Sequence, residues 1–572
     1  MYKPLSFVKT ATVCLALTLG APVVAQELPT AMATIGITDI NSIIDNASVV
    51  TEKFDAKFSA VQLKMLAGMT FNDPSLSGFG NNAGAVGYFT EDQSIVAFLE
   101  VSKDKAPEYV RNLKKMNISA EVIDDMVMLS TAKEKNAVSA AKKYAPLAKA
   151  YLSVEKAPAI EANMNVDAFL NVFGPQVDKT IATLEETAKK VTESKEATDD
   201  DKASAKFIYG VAMFINSFAK QLNVLELSFL FGQENFDINY AIEAKSGTNL
   251  ANVIALPTKE INLDYLKYVP ITDETVGYSV YTSEEEGANA KAIEFFQTEI
   301  EPILQKVGID AKETIEKLKG LAKLSDEAFG SACGASSYDM KNINNNGQTQ
   351  YFVFDLKDAA KAQALAKDCC TIGNDLLKTL FAKVTSNTIS IKYNEKVGEY
   401  KSVPFDSITI EGIDALNSSI KMAAVNNKAL LVVNGDLDKL IDLANTPNEK
   451  TPEVAALAKV PAGAKAVMLS STNIGKMLQQ VLEGIPTDKT STESLAMFEA
   501  NKARLTNLPT LSFFVAKKDN SIMVGTSIPS KFLVETAVLV KDIMNEQEAA
   551  SAAEGIPADN VTTDSATTTS TK

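Results

Sequence analysis

The chain is 572 residues long and acidic, with 56 Lys and Arg against 72 Asp and Glu, a formal net charge of −16, and neither histidine nor tryptophan. Without histidine it lacks the commonest general base, the Ser/His and Cys/His nucleophile pairs, the imidazole metal ligands and the usual pH switch. Its acidity repels phosphate backbones and no basic face is concentrated enough to offset that, so nucleic acid is excluded as a partner; with Arg111 and Arg504 the only arginines, bidentate anion recognition has two centres at most.

The first element is "MYKPLSFVKTATVCLALTLGAPVVAQ", with Lys3 and Lys9 ahead of an apolar core and small residues at Val23 to Ala25. This is the layout of a cleaved secretory signal over residues 1–25, cut after Ala25, and the apolar core is too short to span a bilayer. The chain is therefore expected in the periplasm or secreted, without a transmembrane segment in the mature protein. Its partner would be an unknown protein or envelope component.

Residues 26–257 read as a first α+β repeat. Within it "ATIGITDINSII" (Ala33 to Ile44) is the first segment with a looser partner later in the chain, and the Gly-rich "SGFGNNAGAVG" (Ser77 to Gly87) precedes a strand. That order is wrong for a phosphate loop, so a flexible connection is predicted. "AFLEVSKDKAPEYVRNL" (Ala97 to Leu113) is strand, Lys-Asp turn, helix; "AEVIDDMVMLSTAKEKNAVSAAKK" (Ala120 to Lys143) is a hairpin turning at Asp124-Asp125, then a helix. After Pro158 comes a strand leading into a helix, a polar connection at Thr192 to Ser204, and the apolar "FIYGVAMFINSF" (Phe207 to Phe218), predicted as a buried core helix. Asp199-Asp200-Asp201 lacks the spacing of a calcium loop and reads as a solvated charge run.

Residues 258–273 carry two prolines and are predicted as a linker, and 274–545 read as a second repeat in the same order. "ETVGYSVYTSEE" (Glu274 to Glu285) answers Ala33 to Ile44. "YFVFDLKDAAKAQALAK" (Tyr351 to Lys367) answers Ala97 to Leu113, setting Phe352 against Phe98. "MAAVNNKALLVVNGDLDKLIDLAN" (Met422 to Asn445) answers Ala120 to Lys143, with its turn at Asn426-Asn427. Strands at Pro158 and Ala464, and hairpins from Leu227 and Leu511, complete the series. The fold class is therefore α+β: two tandem pseudo-repeats of strand-strand-helix units, mainly antiparallel sheets with helices packed on one face. Residues 546–572 have almost no large apolar side chain and read as a disordered tail rich in Ser, Thr and Ala.

Three cysteines follow the signal, and an exported chain favours a disulfide between Cys333 and either Cys369 or Cys370. A metal site would need more ligands, and no motif calls for a cofactor. Ser-x-x-Lys occurs at Ser102, Ser130, Ser139, Ser153, Ser217 and Ser418, as frequent lysines would give by chance and without companion signatures. The reading that follows is an exported, non-enzymatic binding or structural protein. Its alternative is a carrier for an apolar small molecule between sheet and helices, with the Phe207 to Phe218 helix lining the cavity. A hydrolase using carboxylates or a Ser/Lys pair is third.

Overall fold

A computed structural model describes residues 31–553 except 56–57, 81, 132–140, 155–156, 284–287, 309–311, 330–332, 341–347, 382–389, 412–418, 485–501 and 503. The signal segment 1–25 and its cleavage site lie outside the described residues. The strands are β1 (Ala31–Thr38), β2 (Ala85–Thr90), β3 (Ile95–Glu100), β4 (Ser119–Ile123), β5 (Met126–Ser130), β6 (Ala159–Asn165), β7 (Leu222–Phe231) and β8 (Asn235–Ala244). They continue as β9 (Gly277–Thr282), β10 (Cys333–Asp339), β11 (Thr349–Asp355), β12 (Ser390–Tyr400), β13 (Val403–Glu411), β14 (Ser419–Val425), β15 (Lys428–Val433), β16 (Lys465–Thr472), β17 (Leu511–Lys518) and β18 (Ser521–Pro529). The helices of the first part are α1 (Ile40–Phe54), α2 (Ala60–Gly68), α3 (Ala106–Lys115), α4 (Ala145–Leu152), α5 (Val166–Glu193), α6 (Asp199–Ala219) and α7 (Asn249–Ile254). Those of the second are α8 (Ala288–Phe295), α9 (Glu301–Lys306), α10 (Lys312–Ala328), α11 (Ala359–Phe381), α12 (Asp438–Asn445), α13 (Ile474–Gly484) and α14 (Ser530–Ala553).

The fold is α+β, built on one 18-stranded antiparallel sheet. The pairings give the order β4-β5-β3-β2-β1-β6-β7-β8, then β18-β17-β16-β9-β10-β11-β15-β14-β13-β12. Each neighbour relation among β1 to β8 recurs among β9 to β11 and β14 to β18, and among the described residues the hairpin β12–β13 has no counterpart in the first part. The two series meet at β8 and β18, which pair from Glu243–Ser521 to Asn235–Pro529. Small local devices recur as well. Asn165 ends β6 and accepts the Ala168 N–H at 2.9 Å, while Asn473 follows β16 and accepts the Lys476 N–H at 2.8 Å, each capping the helix that follows.

The residue register departs from the sequence match. Met126, the first residue after the Asp124-Asp125 turn, lies opposite Glu100, and Lys428, the first after Asn426-Asn427, lies opposite Asp355. Counting back two, the counterpart of Phe98 is Val353, opposite Ala335 and Leu430, and not Phe352. A one-residue slip reverses the face, so the two phenylalanines point to opposite sides of the sheet.

Helices cover both faces over β2, β3 and β5, a departure from the expected single face. Val86, Tyr88, Val96, Phe98 and Met128 pack with Tyr144 and Tyr151 on one side, whereas Leu99 and Val127 pack with Tyr109 and Leu113 of α3 on the other. The predicted linker is also core: Tyr265, Leu266 and Val269 sit among Val280, Val353 and Leu430. The tail starts later than predicted, since α14 runs through Glu546 to Ala553; residues 554–572 lie outside the described residues. Among the described residues no helix is long and apolar enough to cross a membrane.

Candidate apolar cavity beneath α11

A cavity of about 720 Å³, partly open to solvent, lies between α11 and the sheet, bordered at one end by α8 and α10 and at the other by β13. Its floor is Phe354, Leu356, Ile408, Met422, Ala424 and Leu431. Its roof is the small-residue face of α11: Ala359, Ala362, Ala366 and Cys369. Alternation along β11 explains the floor, because Tyr351 and Val353 turn into the opposite core and leave Phe354 facing α11.

The same place in the first half is filled. By pairing register Leu99, Val101, Val127 and Leu129 correspond to Phe354, Leu356, Ala429 and Leu431. Over that floor α3 inserts Tyr109 and Leu113, both fully buried, and the Ser77 to Gly87 stretch with its lead-in adds Leu76 and Phe79. Phe71 stacks on Tyr109 with ring centroids 4.8 Å apart. Gly78, Phe79 and Ala83 to Gly87 of the Gly-rich stretch are thus buried, where a flexible connection was predicted; a Cβ on Gly78 would lie 2.5 Å from the Tyr109 hydroxyl. In α11, alanines and Cys369 line the space that large side chains occupy beneath α3, and the space stays open.

The polar groups are at the ends. Near β13, Asp406 Oδ1 accepts the Lys396 N–H at 2.7 Å, and Oδ2 accepts the Gln363 amide at 3.0 Å and the Tyr393 hydroxyl. Burial raises the Asp406 carboxyl, but these three donors, with Lys367 nearby, more than reverse it and hold it below the usual carboxylate range. Near α8, Asn289 donates to Asp326 at 2.7 Å. The anchors Gln363–Asp406, Asn374–Ile391 and Lys367–Glu395 tie α11 to the extra hairpin β12–β13, so the roof is held by the element the first half lacks. A neighbouring open cleft of about 820 Å³ between α8 and α10 is lined by Lys319, Lys323, Glu327 and Lys361 together with Ala290, Ile293 and Ala322, with Lys361 paired to Glu327 at 2.7 Å.

The sequence-predicted sites are placed as follows. Cys333, Cys369 and Cys370 are all free thiols, and the expected disulfide is not formed. Cys333 begins β10 and packs with Ala335 and Val353, whereas Cys369 faces the cavity, so the sheet stands between them. Among the Ser-x-x-Lys candidates, Ser153 donates to the Ala150 carbonyl and Ser217 to Glu299, while Lys105 pairs with Glu108 and Lys220 with Asp178. Ser139 and Ser418 lie outside the described residues, as do Lys133 and Lys156. Asp199, Asp200 and Asp201 form the first turn of α6, with Asp201 closing a capping box on Thr198.

The carboxylate reading finds Glu161 and Glu226 beside a cleft of about 340 Å³, where burial and Glu243 raise the Glu226 carboxyl. Glu226 is already engaged by Asn163 across the strand pair at 3.4 Å. The Phe207 to Phe218 helix takes no part in the lining of the cavity beneath α11 and is not buried: Phe207 is 72% and Ile215 60% exposed, while Tyr209 packs with Ala188 of α5 and Val307. The residues that build the cavity were missed by sequence reasoning. Their one signal was the spacing Ala359, Ala362, Ala366, Cys369, which also suits an ordinary helix.

No family model matches the chain, and no curated protein or solved structure matches it either.

Proposed function

We propose that the protein is an exported, non-enzymatic carrier that holds an apolar small molecule between α11 and the sheet, in the periplasm or at the cell exterior. The observation that carries this reading is the contrast between halves: a cavity of about 720 Å³ in the second stands where the first has a filled core. That volume falls within the usual range for small-molecule sites, and an apolar lining with few polar groups at its ends is their usual composition. An apolar recess of this extent left open to water usually marks a binding surface, which argues for an occupant.

The test is saturable binding of the neutral fluorescent probe N-phenyl-1-naphthylamine. Ala366→Leu, which fills the space from the roof, is expected to weaken binding at least tenfold while leaving Tm unchanged or raised. Unaltered binding in this variant, or no binding to the parent protein, would overturn the carrier role.

A further inference from the structure

We infer that the occupant of this cavity has an apolar body with a neutral or cationic polar end, and that carboxylate-headed lipids such as fatty-acid anions are rejected. The inference rests on the proposed carrier role. At the β13 end the lining presents Asp406 and Gln363; at the α8 end it presents Asn289, Ser325 and Asp326. Among the described residues of the lining Lys396 is the one cation, against the two carboxylates of Asp406 and Asp326, so the lining is negative on balance.

The positive groups just outside the lining are committed. The N-terminus of α11, where an anion would seek backbone donors, is capped by Asp358, whose Oδ1 accepts the Ala360 and Lys361 N–H groups at 2.8 and 3.1 Å. The Lys361 ammonium pairs with Glu327 at 2.7 Å, and that of Lys367 pairs with Glu395. A carboxylate head entering either end would meet a partly buried carboxylate, and like charges held close together repel. A hydroxyl or ammonium meets acceptors instead: among the described residues Asp406 Oδ1 takes one hydrogen bond, which leaves it a lone pair to offer.

The experiment displaces N-phenyl-1-naphthylamine from the full-length protein at pH 7 with three ligands of one chain length: dodecanol, dodecylammonium and dodecanoate, each below its aggregation concentration. Dodecanol and dodecylammonium are expected to displace the probe at concentrations at least tenfold lower than dodecanoate. Asp406→Asn and Asp326→Asn should each leave the protein folded, and at least one should narrow the gap between dodecanoate and dodecylammonium threefold or more. Saturable probe binding with dodecanoate equal to or better than the others overturns this inference and leaves the carrier role standing, as does an unchanged gap in both variants. A probe that does not bind overturns the carrier role and the inference together.

Discussion

At the scale of single residues, the first half is organised around Asp73. This side chain, 5% exposed, accepts from the Tyr109 hydroxyl and the Gly78 N–H at 2.7 Å and from the hydroxyls of Ser75 and Ser77. Burial raises its carboxyl, but these donors outweigh it and hold the group at about 2, from an ordinary 3.8. Asp73→Asn is expected to cost about 1.5 to 3 kcal/mol at pH 7, the range for hydrogen bonds to a charged partner. Because the folded value is the lower one, the stabilisation is complete above about pH 4 and is lost as pH falls towards 2. Urea midpoints of parent and variant should therefore converge between those limits; a constant difference from pH 7 to pH 2 would show that the charge is not what Asp73 contributes. None of this was legible in the sequence, because Asp73 and Tyr109 lie 36 residues apart and nothing local marks them as partners. The cavity was illegible for a related reason. Ala359, Ala362 and Ala366 are good helix formers in any setting, and their smallness acquires meaning only beside Tyr109 and Leu113 in the matching place.

At the scale of elements, turns were read well and faces less so. The hairpins close at Asp124-Asp125 and Asn426-Asn427 as expected, the β17–β18 hairpin closes at Asp519-Asn520, and Asp124, Asn426, Asn427 and Asp519 take positive φ, which Asn and Asp tolerate. The pairing of Phe98 with Phe352 failed because sequence similarity cannot register a one-residue slip that the next turn absorbs. Helix α6 failed for another reason: its hydrophobic content was read as burial, yet it stands on the outside of α5 and turns Phe207, Ile208 and Ile215 to solvent. Ile215→Lys should accordingly change stability by no more than about 0.5 kcal/mol, whereas Tyr209→Ala, on the packed face, should cost about 3 kcal/mol. Thermal unfolding of the two variants distinguishes them. A large loss from Ile215→Lys would mean that this face is covered in solution.

At the scale of the whole molecule, the recurrence of the strand pairings leads us to infer a duplicated unit, one copy of which keeps a solid core while the other opens a cavity. Domain boundaries drawn from the sequence would make the copies two bodies joined by a linker at 258–273, but several contacts oppose independent unfolding. β8 and β18 join the sheets, Lys459 pairs with Asp237 of β8 at 3.0 Å, and α14 from the end of the chain packs on α1 near its start. At the seam Gly525 lies opposite Asn239, and a Cβ there would fall 2.1 Å from the Phe514 ring and 2.6 Å from the Asn239 side chain. Gly525→Ala should therefore cost about 1 to 3 kcal/mol by overpacking. If the sheet unfolds as one unit, that loss is felt on both sides of the seam. Native-state hydrogen exchange should show the slowest amides of β1 to β3 and of β9 to β11 opening with the same free energy, and both should fall by the same amount in the variant. A variant in which only β9 to β11 lose protection would mean that the halves unfold separately. The cavity's stability would then depend on the second half alone, and the filled first half would not serve as a brace for it.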